Sequence, residues 1–227
     1  MTDPRIIIAI DTFDPAEANA ILDQLDPKLC RIKIGSVVFN ALGKSFLNDV
    51  SDRGFKIFLD LKLHDIPNTV HESIKGFYDC SIDMFTVHLS GGEKILKTAM
   101  LAGKSINARV IGVSILTSLK ESDALTLFSN SIHDQITNLF KLAKKVNLDG
   151  IVCSPLELEL ANTVIDSNSI KITPGIRNTK MEDDQARTMS AKKAIDKGAT
   201  YLVIGRPITQ AQDISMALKT FSDSIEK

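Results

Sequence analysis

Short apolar runs rich in β-branched residues recur along the chain, and each gives way to a polar or glycine-containing junction and then to a longer amphipathic stretch. Runs this short have the length and composition of buried strands, whereas the stretches between them are long enough for helices that carry the chain back across a sheet. The pattern predicts strands over Arg5–Ile10, Arg31–Ile34, Lys56–Leu61, Asp83–His88, Arg109–Ile115, Asp149–Cys153, Ser169–Thr173 and Thr200–Ile204. Three of the junctions, Asp14-Pro15-Ala16-Glu17, Ser90-Gly91-Gly92-Glu93 and Ser154-Pro155-Leu156-Glu157, have the form of a capping box, an N-cap acceptor with a glutamate three residues on. Leu156–Leu160 alternates as a strand would, but it overlaps the third box and is assigned to a helix. Strand then helix, eight times over, predicts an α/β protein of the (β/α)8, or TIM, barrel type. No proline-rich linker or shift in composition interrupts the series, so residues 1–227 are expected to form one barrel domain. Local periodicity does not distinguish a closed sheet from an open one, which leaves a doubly wound sheet as the alternative.

The third predicted strand runs into charges of alternating sign: Phe58-Leu59-Asp60-Leu61-Lys62-Leu63-His64-Asp65-Ile66-Pro67-Asn68-Thr69. Period-two geometry sends Asp60 and Lys62 to one face and Leu59, Leu61 and Leu63 to the other. An acid and an amine then project together just ahead of a proline suited to open a helix. Burying them is costly unless they are paired, so they either tie the rim together as an ion-pair network or serve a ligand. In a barrel, ligand chemistry gathers at the carboxyl ends of the strands. Those ends also carry Asp11, Lys33 followed by Gly35, His88, Thr117 and Ser118, Ser154, Pro174-Gly175-Ile176-Arg177 and Gly205-Arg206. Any one polar residue at a strand end is explained by contact with water. Asp11, Lys33, Asp60 and Lys62, two acids and two amines from three consecutive strands, are better explained together as a site.

The last two strand ends suggest an anion. Gly205-Arg206-Pro207 places a glycine N–H, a cation and a helix-starting proline after the eighth strand, where barrels of this type commonly hold phosphate. Pro174-Gly175-Ile176-Arg177 offers similar groups one strand earlier, and the planar fork of arginine suits phosphate oxygens. The charged stretch from Asn178 to Arg187 is expected to be a segment able to fold over that phosphate.

Overall charge narrows the partners. Lys and Arg number 27 against 28 Asp and Glu, so no excess of either sign recruits nucleic acid or an anionic membrane, and a small molecule is expected. Cys30, Cys80 and Cys153 are odd in number and widely spaced, which fits reduced thiols in cytoplasm and not a disulfide framework or cysteine zinc site. Cys153, within an apolar strand, is expected in the core. The first apolar run meets Asp11 too early for a signal-peptide core, and no apolar segment is long enough to span a membrane.

Ala9-Ile10-Asp11, Lys33-Ile34-Gly35, the run from Asp60 to Thr69, Val87-His88-Leu89-Ser90-Gly91-Gly92, Leu116-Thr117-Ser118, Thr173 to Arg177 and Val203 to Pro207 together resemble the orotidine 5'-phosphate decarboxylase family. The resemblance extends from Ile6 to the C-terminal helix. Its Asp-x-Lys-x-x-Asp core is shared with a wider group of barrel enzymes acting on sugar phosphates, whereas the continuation through Thr69 is specific. The resemblance implies cofactor-independent loss of carbon dioxide from C6 of a pyrimidine nucleotide monophosphate, the last step of pyrimidine nucleotide synthesis. It implies that Lys33, Asp60, Lys62 and an Asp65 donated by the second subunit of a homodimer surround the substrate carboxylate, with Thr69 also crossing the interface. Lys62 would stabilise and protonate the carbanion. Asp11 and Lys33 would contact the ribose, Thr117 and Ser118 the base region, and Arg177, Gln185, Gly205 and Arg206 the phosphate. The resemblance implies no metal. A metal-dependent sugar-phosphate decarboxylase, aldolase or epimerase, with Asp60, Asp65 and His64 or His88 as ligands, is the competing reading, and an ammonium between the acids argues against it.

Overall fold

A computed structural model describes residues 3–177 and 189–226. Its eight strands are β1 (Ile6–Ile10), β2 (Cys30–Gly35), β3 (Ile57–Leu63), β4 (Ile82–His88), β5 (Arg109–Val113), β6 (Gly150–Val152), β7 (Ile170–Thr173) and β8 (Tyr201–Ile204). They are parallel, follow one another in sequence order, and close into a barrel where β8 pairs with β1, Ile6 opposite Leu202 and Ile8 opposite Ile204. That last pairing excludes the open sheet. Between and after the strands lie α1 (Pro15–Leu22), α2 (Ser36–Asp52), α3 (Pro67–Lys75), α4 (Gly92–Ser105), α5 (Glu121–Phe128), α6 (Ile132–Lys145), α7 (Leu158–Val164), α8 (Ala191–Asp196), α9 (Arg206–Thr209) and α10 (Ile214–Glu226).

Alternation along the strands divides the core in two. Ile6, Ile8, Ile10, Ile32, Ile34 and Leu59 point outward and pack with the helices, whereas Ile7, Ala9, Phe58, Met84, Ile111, Ile172, Tyr201 and Val203 fill the barrel interior. Strands apolar on both faces read in sequence as short continuous runs. Cys30, Cys80 and Cys153 are free and buried, and burial pushes the Cys153 thiol up to about 12, which leaves it an inert packing group.

The predicted caps are realised unevenly. Glu157 Oε2 accepts the Ser154 N–H at 2.9 Å, and Leu156 lies in the 3₁₀ turn that leads into α7, so the helical assignment holds. Asp14 accepts the N–H of Ala16 at 2.8 Å, but Glu17 is drawn instead to the Thr12 hydroxyl at 2.5 Å. Ser90 caps nothing. Its hydroxyl bonds His88 Nδ1 at 3.1 Å, Glu93 pairs with Lys97 and Lys145, and α4 starts two residues later, at Gly92.

Arg31 projects into the barrel at the end opposite the strand carboxyl termini and is 1% exposed. Its guanidinium pairs with Asp3 and Asp83, donates from Nε to the Pro4 carbonyl at 3.1 Å, and lies 4.6 Å from the centre of the Tyr201 ring. Tyr201 donates to Asp3 at 2.6 Å, and Arg109 holds Asp83 at 2.6 Å. This network closes the floor of the barrel. Without Arg31, Asp83 would keep Arg109 and Asp3 would keep the Tyr201 hydroxyl, so the expected cost is that of Arg31's own charge-assisted hydrogen bonds and packing, about 3 kcal/mol. Arg31→Ala is therefore expected to lower the melting temperature by roughly 10 °C, as scanning calorimetry would record. A shift of less than about 2 °C would show that the network contributes little.

Candidate active site

At the other end of the barrel the strand termini enclose a cleft of about 480 Å³. Asp11, Lys33, Asp60, Lys62, Thr117, Arg177, Gly205 and Arg206 all line it, brought together from six of the eight strand ends. Its apolar lining includes Ala9, Phe58, Val113, Val152 and Val203, so the charged groups stand on the packed barrel interior.

The charges are tightly organised. Lys62 Nζ donates to Asp60 Oδ1 at 2.9 Å, and Lys33 Nζ lies 3.6 Å from Asp60 Oδ2 and 3.5 Å from Asp11 Oδ1. Asp60 and Lys33 are each 12% exposed and Lys62 is 38% exposed, so the acid is enclosed while one amine faces the open cleft. Burial alone would raise the Asp60 pKa. Lys33, Lys62 and the hydrogen bonds from Lys62 and Thr86 outweigh burial and hold the carboxyl below its ordinary value, so Asp60 is ionised at neutral pH.

Lys62 owes its position to an irregular backbone. The β3–β4 register shifts between Leu59 and Leu63, and Lys62 adopts a left-handed φ of 49°. For a residue with a long side chain this conformation is uncommon and costs on the order of 1 kcal/mol or more. Thr86 on β4 supports it, accepting the Lys62 N–H at 2.8 Å and donating its hydroxyl to Asp60 Oδ1 at 3.1 Å. Sequence reading missed Thr86. Its signal was a lone hydroxyl in an apolar strand, at the same parity as Met84, which faces the interior. Gly35 matters for a related reason, since a Cβ there would come within 3.1 Å of Lys33 Nζ.

On the far side, Arg177 follows β7, four strands from β3 in a closed ring of eight. It is 9% exposed, donates from Nη1 to the Ile176 carbonyl at 2.9 Å, and its N–H is held by Met189 O at 2.9 Å. Ile176 and Met189 form a parallel bridge, which joins the described residues on either side of 178–188. Gly205 and Arg206 lie at the start of α9, and Gly205 packs against Ala9, with 3.6 Å between an added Cβ and the Ala9 Cβ. Gln185 and the segment Asn178–Arg187 expected to fold over a phosphate lie outside the described residues.

Asp65, Thr69 and Ser118 are exposed and do not line this cleft. Asp65 Oδ1 accepts the N–H of Ile66 at 2.6 Å, and among the described residues it makes no ion pair within its own chain. His64 and His88 do not converge on the acids as metal ligands would. Their rings stack on one another with centroids 5.2 Å apart.

A closed parallel barrel with a charged, ligand-sized cleft at its carboxyl-terminal rim has the build of an α/β-barrel enzyme. Residues 4–221 match the family described as orotidine 5'-phosphate decarboxylase / HUMPS. Relatives include the orotidine 5'-phosphate decarboxylases of Coxiella burnetii (strain RSA 331), 40% identical over 99% of this chain and 98% of that one, and of Glaesserella parasuis, 42% identical over 98% and 99%. Among solved structures, the orotidine 5'-phosphate decarboxylase of Lactobacillus acidophilus superposes with a TM-score of 0.88 at 32% identity, covering 99% of this chain and all of that one. The chain belongs to the orotidine 5'-phosphate decarboxylase / HUMPS family.

Proposed function

We propose that this protein decarboxylates orotidine 5'-phosphate to uridine 5'-phosphate, the closing step of pyrimidine nucleotide synthesis, without a cofactor. The observation that carries the proposal is a largely enclosed, ionised Asp60 held between Lys33 and Lys62 in a cleft that also contains Arg177, Gly205 and Arg206. The arginines and the Gly205 region bind the phosphate and so fix the pyrimidine against β3. Asp60 faces the substrate carboxylate, and their like charges disfavour the bound ground state. The C6–carboxylate bond breaks, its electron pair stays on C6, and carbon dioxide departs. Lys62, the more exposed amine, lies beside the developing charge and transfers its proton to C6, to be reprotonated from solvent. Lys33 and Asp11 hold the ribose hydroxyls, and Thr117, which lines the cleft, serves the base; Ser118, exposed next to it, is assigned to the base too and would have to turn inward from the rim to reach it. Gln185 is assigned to the phosphate with the arginines.

The working unit in this proposal is a homodimer in the cytoplasm, each chain a single domain over residues 1–227. Asp65 and Thr69 lie outside their own cleft on an exposed turn and helix start, next to Ile66, which is 66% exposed. A second copy covering that apolar side chain would receive both polar ones. Among the described residues, no helix is long and apolar enough to cross a membrane.

The purified protein is expected to remove the long-wavelength ultraviolet absorbance that distinguishes orotidine 5'-phosphate from uridine 5'-phosphate, with stoichiometric release of carbon dioxide, at a rate unchanged by EDTA. Retention of the absorbance would overturn the assignment. Loss of absorbance that EDTA suppresses would move the chain to the metal-dependent members of the barrel group, although both oxygens of Asp60 are already engaged by ammonium groups.

A further inference from the structure

The mechanism leaves one aromatic pair unused. Leu63 of β3 is registered against Val87 of β4, so the next residues, His64 and His88, are cross-strand neighbours at the point where the two strands end. Their rings stack at 30° with centroids 5.2 Å apart, within the range of a favourable aromatic contact. His88 is the fixed member. Its Nδ1 is hydrogen-bonded to Ser90 Oγ at 3.1 Å, and burial, with a smaller contribution from the nearby Lys62 ammonium, holds its pKa below the ordinary imidazole value. His64 is exposed but is also backed by the 3₁₀ turn after β4, where an added Cβ on Gly91 would lie 3.4 Å from its Cδ2.

The location gives the contact its meaning. Regular pairing of β3 with β4 is interrupted between Leu59 and Leu63, the stretch that contains Asp60 and the left-handed Lys62. The interruption is bounded below by Leu59 opposite Phe85 and above by Leu63 opposite Val87, directly followed by the histidine stack. Asp65, immediately beyond, begins the exposed turn into α3. We infer that the His64–His88 stack is a positioning device: it pins the end of β3 to β4, and thereby holds Lys62 in its left-handed conformation on one side and presents the Asp65 turn on the other. Without it, the strand end is free to relax toward ordinary extended backbone, which would swing the Lys62 ammonium away from Asp60. Neither imidazole lines the cleft, so the effect is on turnover and not on affinity for the nucleotide.

This inference rests on the proposed role of Lys62, and the test separates the two. His64→Ala removes the stack from an exposed position without disturbing the core, whereas His64→Phe keeps an aromatic face and removes the ring nitrogens. Relative to wild type, His64→Ala is expected to lower kcat about ten-fold, since small displacements of a catalytic group are costly, while KM changes less than about two-fold. His64→Phe is expected to restore kcat to within about three-fold of wild type, the recovery that a stacking role requires. Unchanged kcat in His64→Ala, an equal loss in both variants, or a loss confined to KM would overturn the inference. Lys62→Ala is measured alongside. If it retains turnover, the reading of the site fails; if it is inactive while His64→Ala is fully active, only the positioning role fails.

Discussion

Lys62→Ala is expected to lower kcat for orotidine 5'-phosphate by at least about three orders of magnitude, with a much smaller change in KM. The size follows from electrostatics. A unit positive charge about 4 Å from a developing negative charge contributes about 4 kcal/mol at an effective dielectric near 20, or roughly three decades in rate. The estimate covers only the charge. Removing the amine also removes the proton donor for C6 and frees Asp60 Oδ1 from its 2.9 Å partner, so the true loss should be larger. Lys33 cannot substitute, being held between Asp11 and Asp60 at 3.5 and 3.6 Å. Single-turnover measurements with saturating enzyme would isolate the chemical step. Wild-type turnover by the variant would remove Lys62 from the mechanism.

Mixing two inactive proteins should restore activity. If Asp65 acts in the neighbouring subunit, Asp65→Ala and Lys62→Ala homodimers each lack a necessary group in both sites, but a mixed dimer has one intact site, formed by Lys62 of one chain and Asp65 of the other. Random exchange of equal amounts would make about half of the dimers mixed, each with one working site of two, giving about a quarter of wild-type activity. The measurement is activity after subunit exchange, with size-exclusion chromatography reporting association. A mixture that associates and stays inactive would place Asp65 in its own chain's site, and an Asp65→Ala homodimer with wild-type activity would place it outside the chemistry.

How far these features could be read in advance depends on the physics behind each. The eight strands were legible because strands covered on both faces are continuous apolar runs, and observed ends differ from expected ones by at most two residues, as in β5, which ends at Val113 and not Ile115. The joining of β8 to β1 was not legible from local periodicity, because it is a contact between the two ends of the chain. Asp60 and Lys62 were expected on one face by simple alternation. They do meet, but through a left-handed lysine at a register shift, and nothing in a lysine's identity announces that backbone. Thr86 escaped notice because its importance lies in one hydroxyl aimed at two neighbours on another strand. The Ser90 cap was not realised for a competitive reason: a serine oxygen bonds one of several partners within reach, and here it takes the His88 imidazole while α4 has no side-chain cap.

The packed interior beneath the cleft has a bearing on the whole reaction cycle. Ala9, Phe58 and Val203 seal the barrel directly under the charged groups, and the Arg31 network plugs its far end, so the cavity is a dead-end street. Traffic in the proposed reaction must use one door, with the nucleotide product leaving by the route its precursor entered. A grip on phosphate strong enough to help the chemistry therefore also delays departure, and the best arginine contacts are those of intermediate strength. A variant that held the product more tightly would be a slower enzyme, however well it aligned the substrate.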